Sequence, residues 1–193
     1  MNMEIVHFIL KLPLCLPLYL CYLVADKAGK ARVDEDLAYM NQTCKKNSSL
    51  FYYLICRKPY RNLFYYRIPA ARYFKFLLPQ YDLFTIVSGC DIAGGVFVLN
   101  HPYATILNAK RIGKKFVCCH LTTIGNKKHG DNACLPRIGD NVSLGANVTI
   151  IGDVTIGNNV TIGAGSVVVH DLPDNCVAVG NPARIVKFIN QDI

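Results

Sequence analysis

Two histidines near the middle of the chain stand in matching sequence contexts. His101 is the third residue of the six-residue unit LNHPYA, and His120 is the third residue of CCHLTT. Imidazole titrates near neutral pH, so a histidine serves as a general base with little adjustment of its pKa. If the two units are equivalent turns of one repeat, both side chains lie at the same edge of the fold. Two stacked imidazoles can also be a packing accident, so the elements that carry them matter.

The elements downstream of these histidines are units of six residues. From Ile138 to Val167 the chain reads IGDNVS LGANVT IIGDVT IGNNVT IGAGSV, and each unit opens on Ile or Leu. A period held this long indicates a repeat fold, because such a short strand cannot bury its own apolar face and must stack on the next turn. Ordinary β-hairpins would show a period of two instead. We predict a mainly β fold, a parallel β-helix, with these residues pointing inward: Ile138, Leu144, Ile150, Ile156 and Ile162.

The same phase extends towards the N-terminus. It predicts inward positions at Ile124, Cys118, Ile112, Thr105, Leu99 and Ala93. The unit TILNAKR contains one inserted residue, so the 19 residues from His101 to His120 equal one 18-residue turn plus the insertion. Adjacent turns lie about 4.8 Å apart. The phase breaks at residues 126–137, NKKHGDNACLPR, where we predict a long loop of the kind that usually carries function.

Charge divides the chain into two parts. Residues 1–80 hold 12 Lys and Arg against 5 Asp and Glu, whereas residues 81–193 hold 9 against 8. A basic excess at one end predicts an anionic membrane surface or another polyanion as partner. No nucleic-acid-binding module is recognisable, so nucleic acid is not expected. We expect an N-terminal helical, basic and apolar segment at residues 1–84 and the β-helix at residues 85–193, with no room for a second catalytic domain.

The segment Ile5–Val24, IVHFILKLPLCLPLYLCYLV, has the length of a membrane-spanning helix. Lys11, Pro13 and Pro17 interrupt it, so a straight spanning helix is not expected. Glu4 replaces the basic start of a signal peptide, and no clear cleavage site follows. Two interpretations stay open. The segment forms short helices packed against the β-helix or a neighbouring subunit, or it makes peripheral contact with a membrane.

The cysteines indicate a reducing compartment. The chain has nine, an odd number, and no CxxC pair. A secreted protein held by disulfides would show an even number at regular spacing. We therefore expect a cytoplasmic protein, and the basic N-terminus adds the inner face of the membrane as a place where it would act.

Several segments resemble a known family. The hexads resemble the left-handed β-helix of the hexapeptide-repeat acyltransferases, and AVGNPARIV (Ala178 to Val186) resembles their C-terminal signature. The segments HPYATILNAKRIG, TTIGN, DNAC and IGDNVSLGAN are similar to the serine acetyltransferase group, most of all to its colanic-acid-type members, which acetylate bacterial surface polysaccharide. RNLFYYR is similar to the N-terminal part of polysaccharide acetyltransferases. The resemblance covers about residues 85–190 and implies a left-handed β-helix with an N-terminal helical segment, acetyl-CoA as donor and a homotrimer with sites between subunits.

The resemblance also implies catalytic roles. The family's general base, which takes the proton of the acceptor hydroxyl as its oxygen attacks the thioester carbonyl, stands at His101. Asp91 is the candidate for the carboxylate that orients this base, although it lies only 10 residues before His101, closer than in the family. His120 is assigned acceptor binding or support of His101. No Ser or Cys nucleophile motif is present. A metal site of His101, His120 and His129 would need another spacing, so no metal is expected.

Contacts to coenzyme A follow from the same resemblance. Ala146 and Ala164 are the third residues of their hexads, 18 residues apart, and match the small residues along which the pantetheine arm lies. Asn126, at the start of the loop, matches a cofactor position where the serine enzymes carry Gly. Arg184 and Lys187 follow the GNPAR turn and suit the phosphates of coenzyme A. Ordinary turn residues and a solvated C-terminal face are the structural alternatives.

The acceptor-binding pattern departs from that of the serine enzymes. Their Asp before the catalytic histidine and their Arg-His pair before the loop proline are replaced by Asn100, Cys134 and Leu135. Without these charges, the ammonium and carboxylate of free serine lose their partners. A neutral sugar hydroxyl suits Asn100, Tyr103 and His120 better. We therefore expect O-acetylation of a carbohydrate or lipid-linked glycan in surface-polysaccharide biosynthesis, with serine O-acetylation and a non-catalytic β-helix scaffold as alternatives.

Overall fold

The computed structural model describes residues 3–98, 102–128, 130 and 133–189. The chain divides into two compact units, residues 1–82 and 83–193. The described part of the first unit is helical. Its α-helices are α1 (Met3–Lys11), α2 (Leu16–Val24), α3 (Lys27–Cys44), α4 (Leu50–Cys56) and α5 (Lys58–Arg67), joined by the 3-10 helices Leu12–Cys15 and Pro69–Phe74.

The apolar segment at the start of the chain is broken where its prolines predict a break. The 3-10 helix Leu12–Cys15 carries Pro13 in its first turn, and α2 carries Pro17 in its first turn. Proline is tolerated there because the first N–H groups of a helix have no partner within it. Among the described residues, none of the helices combines the length and the apolar character that crossing a bilayer requires.

α5, which carries the RNLFYYR segment, is buried along most of its length. Its Arg67 Nε donates to Asp36 Oδ2 of α3 at 3.0 Å, and both side chains are buried. Arg61 donates from Nη2 to the carbonyl oxygen of Ile55 at 2.7 Å and from Nη1 to that of Pro79 at 2.8 Å. Buried charges need such partners, because an uncompensated one is strongly destabilising. The RNLFYYR segment therefore holds the helical unit together.

The second unit is a parallel β-helix of short strands. These are β1 (Phe84–Ile86), β2 (Asp91–Ile92), β3 (Phe97–Val98), β4 (Thr105–Leu107), β5 (Arg111–Ile112), β6 (Val117–Cys118), β7 (Thr123–Gly125), β8 (Arg137–Ile138), β9 (Ser143–Leu144), β10 (Thr149–Ile151), β11 (Thr155–Ile156), β12 (Thr161–Ile162), β13 (Val167–Val168), β14 (Cys176–Val179) and β15 (Arg184–Phe188). Sheet A contains β1, β4, β7, β10 and β13; sheet B contains β2, β5, β8 and β11; sheet C contains β3, β6, β9, β12, β14 and β15. β15 pairs antiparallel with β14, and the other pairs are parallel.

The hexad phase sets the register of these strands. The in-register pairs are Ile138 with Ile156, Leu144 with Ile162 and Ile150 with Val168. These aliphatic side chains are at most 2% exposed, and so are Ile112, Cys118 and Ile124. The predicted inward positions from Ile112 to Ile162 are therefore confirmed. Fully burying an Ile or Leu side chain contributes roughly 1.5–3 kcal/mol each, which explains why one aliphatic residue in six defines the fold.

Before Ile112 the predicted phase is wrong by one or two residues. The in-register pairs are Ile92 with Ile112, Val98 with Cys118 and Leu107 with Ile124. Ala93 is consequently half-buried, and Thr105 lies two residues before the inward position of its strand, although it is buried. Leu99 lies outside the described residues. The reason is that the corner between β3 and β4 is longer than a hexad allows and the corner between β4 and β5 is shorter, so the irregularity is not one insertion.

One row of corners is filled by its own hydrogen bonds. Where sheet B passes into sheet C, Asn141 Nδ2 donates to Asn159 Oδ1 at 2.9 Å, and Asn159 Nδ2 donates to Asn175 Oδ1 at 2.8 Å. All three residues have a positive φ of 55–56°. Asparagine tolerates this left-handed conformation better than most residues do. The ladder gives this edge a structural role.

Candidate active site

Four predicted site residues lie in one row, at the corners where sheet C passes into sheet A. Three backbone hydrogen bonds join successive corners: the N–H of Leu121 donates to the carbonyl oxygen of Tyr103 at 2.8 Å, that of Asn147 to His120 at 2.9 Å, and that of Gly165 to Ala146 at 2.8 Å. Each donor is the residue directly after a corner residue of the following turn: Leu121 follows His120, Asn147 follows Ala146, and Gly165 follows Ala164. Tyr103, His120, Ala146 and Ala164 therefore occupy equivalent places in four successive turns, and we name them the corner row.

The counterpart of His120 in the preceding turn is Tyr103. Both are followed by a residue with positive φ, Ala104 at 47° and Leu121 at 60°, which marks the same point of the corner. The described residues thus pair His120 with Tyr103, whereas the expected equivalence of His120 with His101 stays a prediction. His101 itself lies outside the described residues, as does Asn100.

The corner row is open to solvent and narrow. Tyr103, His120 and Ala164 are exposed, and Ala146 is half-buried. Between the two alanines the turns approach closely, since a Cβ on Gly145 would lie only 2.6 Å from the backbone nitrogen of Ala164. Small side chains on closely stacked turns leave backbone groups accessible to an extended ligand lying along the edge.

Two buried hydroxyls brace the corner row, and the sequence reasoning did not find them. Thr122 Oγ1 donates to the carbonyl oxygen of Cys119 at 2.9 Å, and Ser166 Oγ donates to that of Gly163 at 2.7 Å. Both side chains are fully buried. They take the fifth hexad place, which Val148 holds in the turn between them. A polar residue where the repeat otherwise carries valine is the sequence signal for such a brace.

The thiols beside His120 are not activated. Burial raises the pKa of the Cys119 thiol, and burial raises that of Cys118, which points into the core. The thiolate is the nucleophilic form of cysteine, and a raised pKa depletes it at neutral pH. These thiols are therefore unsuited to forming a covalent acyl intermediate.

Asp91 and Asn126 lie away from the corner row. Asp91 is exposed on sheet B, in register with Arg111 of the neighbouring strand. Asn126 is half-buried and follows β7, so the three residues of that strand, about 10 Å at 3.3 Å each, separate it from the corner of His120. The structure brings neither residue to the row, and their assigned roles stay predictions.

Arg184 and Lys187 lie on the last strand, β15, which is exposed throughout. Arg184 is in register with Val179, whereas Lys187 is in register with Val177. Val179 adjoins the last turn of the corner row, because a Cβ on Gly163 would lie 2.7 Å from its Cγ1 atom. Arg184 is thus closer than Lys187 to the end of the row and better placed for a phosphate there.

The loop after β7 carries the other residues that differ from the serine enzymes. Cys134 and Leu135 are both half-buried there, and His129 lies outside the described residues. In the part of the chain that the structure describes, no three His, Cys, Asp or Glu side chains are grouped as a metal ion would require.

Comparison with known proteins identifies the repeat. The bacterial transferase hexapeptide family (six repeats) matches residues 136–170. The chain is 50% identical over 93 residues to an Escherichia coli K12 protein provisionally named the colanic acid biosynthesis acetyltransferase WcaB, a match that covers 48% of this chain and 57% of WcaB. It is 35% identical over 113 residues to serine acetyltransferase 4 of Arabidopsis thaliana, covering 54% of this chain and 31% of that one. The chain therefore spans little more than half the length of WcaB and a third of the plant protein.

Structural comparison agrees. The crystal structure of the serine acetyltransferase CysE of Neisseria gonorrhoeae matches 96% of this chain and 80% of its own, with a TM-score of 0.76 at 24% identity. The predicted fold, a left-handed parallel β-helix with an N-terminal helical segment, is confirmed. Residues 136–170 match the hexapeptide-repeat transferase family, as the hexads predicted.

Proposed function

We propose that this chain is an acetyl-CoA-dependent O-acetyltransferase whose acceptor is a carbohydrate hydroxyl in surface-polysaccharide biosynthesis. Acetyl transfer is supported by the hexapeptide repeat and by two relatives named as acetyltransferases. The carbohydrate acceptor is supported by the 50% identity to WcaB, whose name places it in colanic acid biosynthesis.

The observation that carries the proposed acceptor is the absence of charge around the corner row. In the described corner segments 102–104, 119–122, 145–148 and 163–166 there is no Asp, Glu, Lys or Arg. Free serine brings an ammonium and a carboxylate, and binding it without ionic partners would cost the desolvation of both groups. A sugar hydroxyl needs only hydrogen bonds, which the phenol of Tyr103 and the imidazole of His120 supply.

The proposed chemistry is a direct transfer. His101 takes the proton from the acceptor hydroxyl while the oxygen attacks the thioester carbonyl of acetyl-CoA. The carbon–sulfur bond then breaks, and the imidazolium returns the proton to the sulfur of coenzyme A. An ester and free coenzyme A result. A positioned base of this kind contributes roughly 10²–10⁴-fold to the rate.

In this proposal the acetyl donor lies along the corner row. Its pantetheine arm passes Ala146 and Ala164, and its phosphates meet Arg184, whose guanidinium makes bidentate contacts with phosphate oxygens. The assembly we propose is a homotrimer in which neighbouring subunits share each site. In such a trimer, the position of the neighbouring subunit decides the roles of three residues: Asn126, Lys187 and Asp91.

Serine O-acetylation is the second candidate. It is favoured by the plant relative and by the fold shared with the Neisseria gonorrhoeae enzyme. The two candidates differ in the acceptor, since both use the same donor and the same base.

Release of free coenzyme A distinguishes them. The protein is incubated with acetyl-CoA and, separately, with sugar nucleotides, lipid-linked oligosaccharides and serine, and the His101→Ala variant gives the background rate. The proposal expects acceptor-dependent release with a glycan and near-background release with serine. Efficient release with serine alone would favour the second candidate, and release that stays at the background rate with every acceptor would favour a scaffold.

A further inference from the structure

α2 is apolar on every side, yet one side faces solvent. Its sequence, LPLYLCYLV, contains no charged residue, and Leu18 and Cys21 are buried within the helical unit. On the other side Leu16 is 55% exposed and Leu20 is 60% exposed, and Leu23 follows at the same helical spacing. A helix that is apolar all round is normally buried. The exposed side of α2 is therefore a surface that something else covers.

This surface extends beyond α2. The 3-10 helix Pro69–Phe74 packs against α2, and it and the turn after it expose Tyr73 (83%) and Phe76 (75%). In the described part of the helical unit, the large apolar side chains that are exposed all belong to these neighbouring elements and to α1 with its 3-10 continuation. We name them the apolar surface: Ile9, Leu10, Leu12, Leu16, Leu20, Leu23, Val24, Tyr73 and Phe76. Scattered exposed residues need no explanation, whereas a set confined to one part of a unit marks an interaction site.

Basic residues flank the apolar surface. Lys11 precedes α2, and Lys27 and Lys30 follow it, with Lys30 Nζ donating to the carbonyl oxygen of Leu23. Arg72 and Lys75 flank the exposed aromatic pair. Arg72 Nε donates to the carbonyl oxygen of Tyr65 at 2.9 Å, and Lys75 Nζ lies 5.8 Å from the Tyr65 ring centre. The acidic residues of the same segments are Glu4 in α1, Asp26 before α3, and Asp34, Glu35 and the buried Asp36 in α3.

The charge decides between two occupants. A second copy of this chain seated on the same surface would bring two basic rims together, because residues 1–80 carry 12 Lys and Arg against 5 Asp and Glu. An anionic lipid surface matches that sign and attracts each basic residue that lies near it. Leucines with aromatic and basic residues around them are also the composition of helices that lie in the membrane interface.

We propose that the apolar surface docks the protein on an anionic bilayer, with α2 lying in the plane of the headgroups. At 1.5 Å per residue the nine residues of α2 are about 13 Å long, less than half of the roughly 30 Å hydrocarbon core. The exposed leucines therefore enter one leaflet, to the depth of about 5–10 Å typical of interfacial helices. This proposal is independent of the acetyl transfer proposed above.

Vesicle flotation tests it, with the full chain and without acetyl-CoA or acceptor. Vesicles of phosphatidylcholine with phosphatidylglycerol are compared with phosphatidylcholine alone. The wild type floats with the anionic vesicles and less so in high salt, and Leu16→Ser with Leu20→Ser weakens binding at least tenfold. The matched control is Val186→Ser with Phe188→Ser, which changes two equally exposed residues of β15 and leaves binding unchanged.

Circular dichroism and light scattering accompany each variant. If the α2 variant loses helix content, Tyr73→Ser with Phe76→Ser replaces it, since these side chains are 83% and 75% exposed and lie outside α2. The proposal is overturned if the wild-type protein floats with neither kind of vesicle. It is also overturned if a surface variant floats with the anionic vesicles as the wild type does. If the wild type binds neither vesicle and the surface variants have a lower molar mass than the wild type, the apolar surface is an interface with a second copy of the chain.

Discussion

The backbone N–H of Leu121 donates to the carbonyl oxygen of Tyr103 at 2.8 Å, and this bond fixes which residue lies next to His120. It places Tyr103 and His120 in the same corner position of successive turns, about 4.8 Å apart. A phenol and an imidazole thus share one exposed edge, and the next two turns add Ala146 and Ala164. In the proposed function, the polar pair forms the acceptor end of this edge and the small pair forms its donor end.

Loss of His101 should separate chemistry from donor binding. We expect His101→Ala to lower turnover by roughly 10²–10⁴-fold and to leave acetyl-CoA affinity nearly unchanged, because the base acts on the acceptor proton. His120→Gln should act mainly on the KM of the acceptor and cost less. Steady-state kinetics with calorimetry measures both. Near wild-type turnover in His101→Ala would remove it from the mechanism, and a larger loss in His120→Gln would reverse the two roles.

The close stacking at Gly145 gives a prediction on stability. A Cβ there would lie 2.6 Å from the nitrogen of Ala164, so Gly145→Ala should cost about 1–3 kcal/mol of unfolding free energy as the turns move apart. Gly125→Ala is the matched control, since a Cβ on that strand residue meets nothing within 4 Å. Thermal unfolding of both variants decides the matter. Equal midpoints would show that the corner accommodates the methyl group.

Buried tyrosines predict an alkaline limit for the helical unit. Burial raises the pKa of Tyr65 to about 12 and that of Tyr60 well above its usual 10, and the hydrogen bond to Asp34 raises the pKa of Tyr22 to about 12. The folded state therefore holds these protons while the unfolded chain releases them near pH 10. Stability should be unaffected below about pH 9 by this effect and fall as the pH rises from about 10 to 12. Tyrosinate absorbance at pH 10 that is lower in Tyr65→Phe than in the wild type, with the helical circular dichroism intact, would contradict the burial of the Tyr65 hydroxyl.

The repeat was predictable from sequence where its period is strict. From Ile112 to Ile162 the residues predicted to point inward are buried, because the residue that recurs at every sixth place meets the core at the same point of each strand. Before Ile112 the prediction failed, since a corner takes extra residues without changing the apolar pattern of the strands. Tyr103 was therefore overlooked as the neighbour of His120 in the preceding turn. Ala146 and Ala164 were found by position, whereas the hydroxyl braces Thr122 and Ser166 were overlooked as ordinary variants of valine.

Binding of acetyl-CoA to Ala164→Leu, measured by calorimetry, tests most directly whether the corner row is the donor site. The side chain projects from an exposed edge, so the β-helix should stay folded while the leucine blocks the path of the pantetheine arm. Lys114→Leu is the matched control, because Lys114 is the third residue of its hexad, as Ala164 is, but lies at the corner between sheets B and C. The account predicts at least a tenfold loss of affinity in Ala164→Leu and none in Lys114→Leu. Unchanged affinity in Ala164→Leu would mean that the donor binds elsewhere.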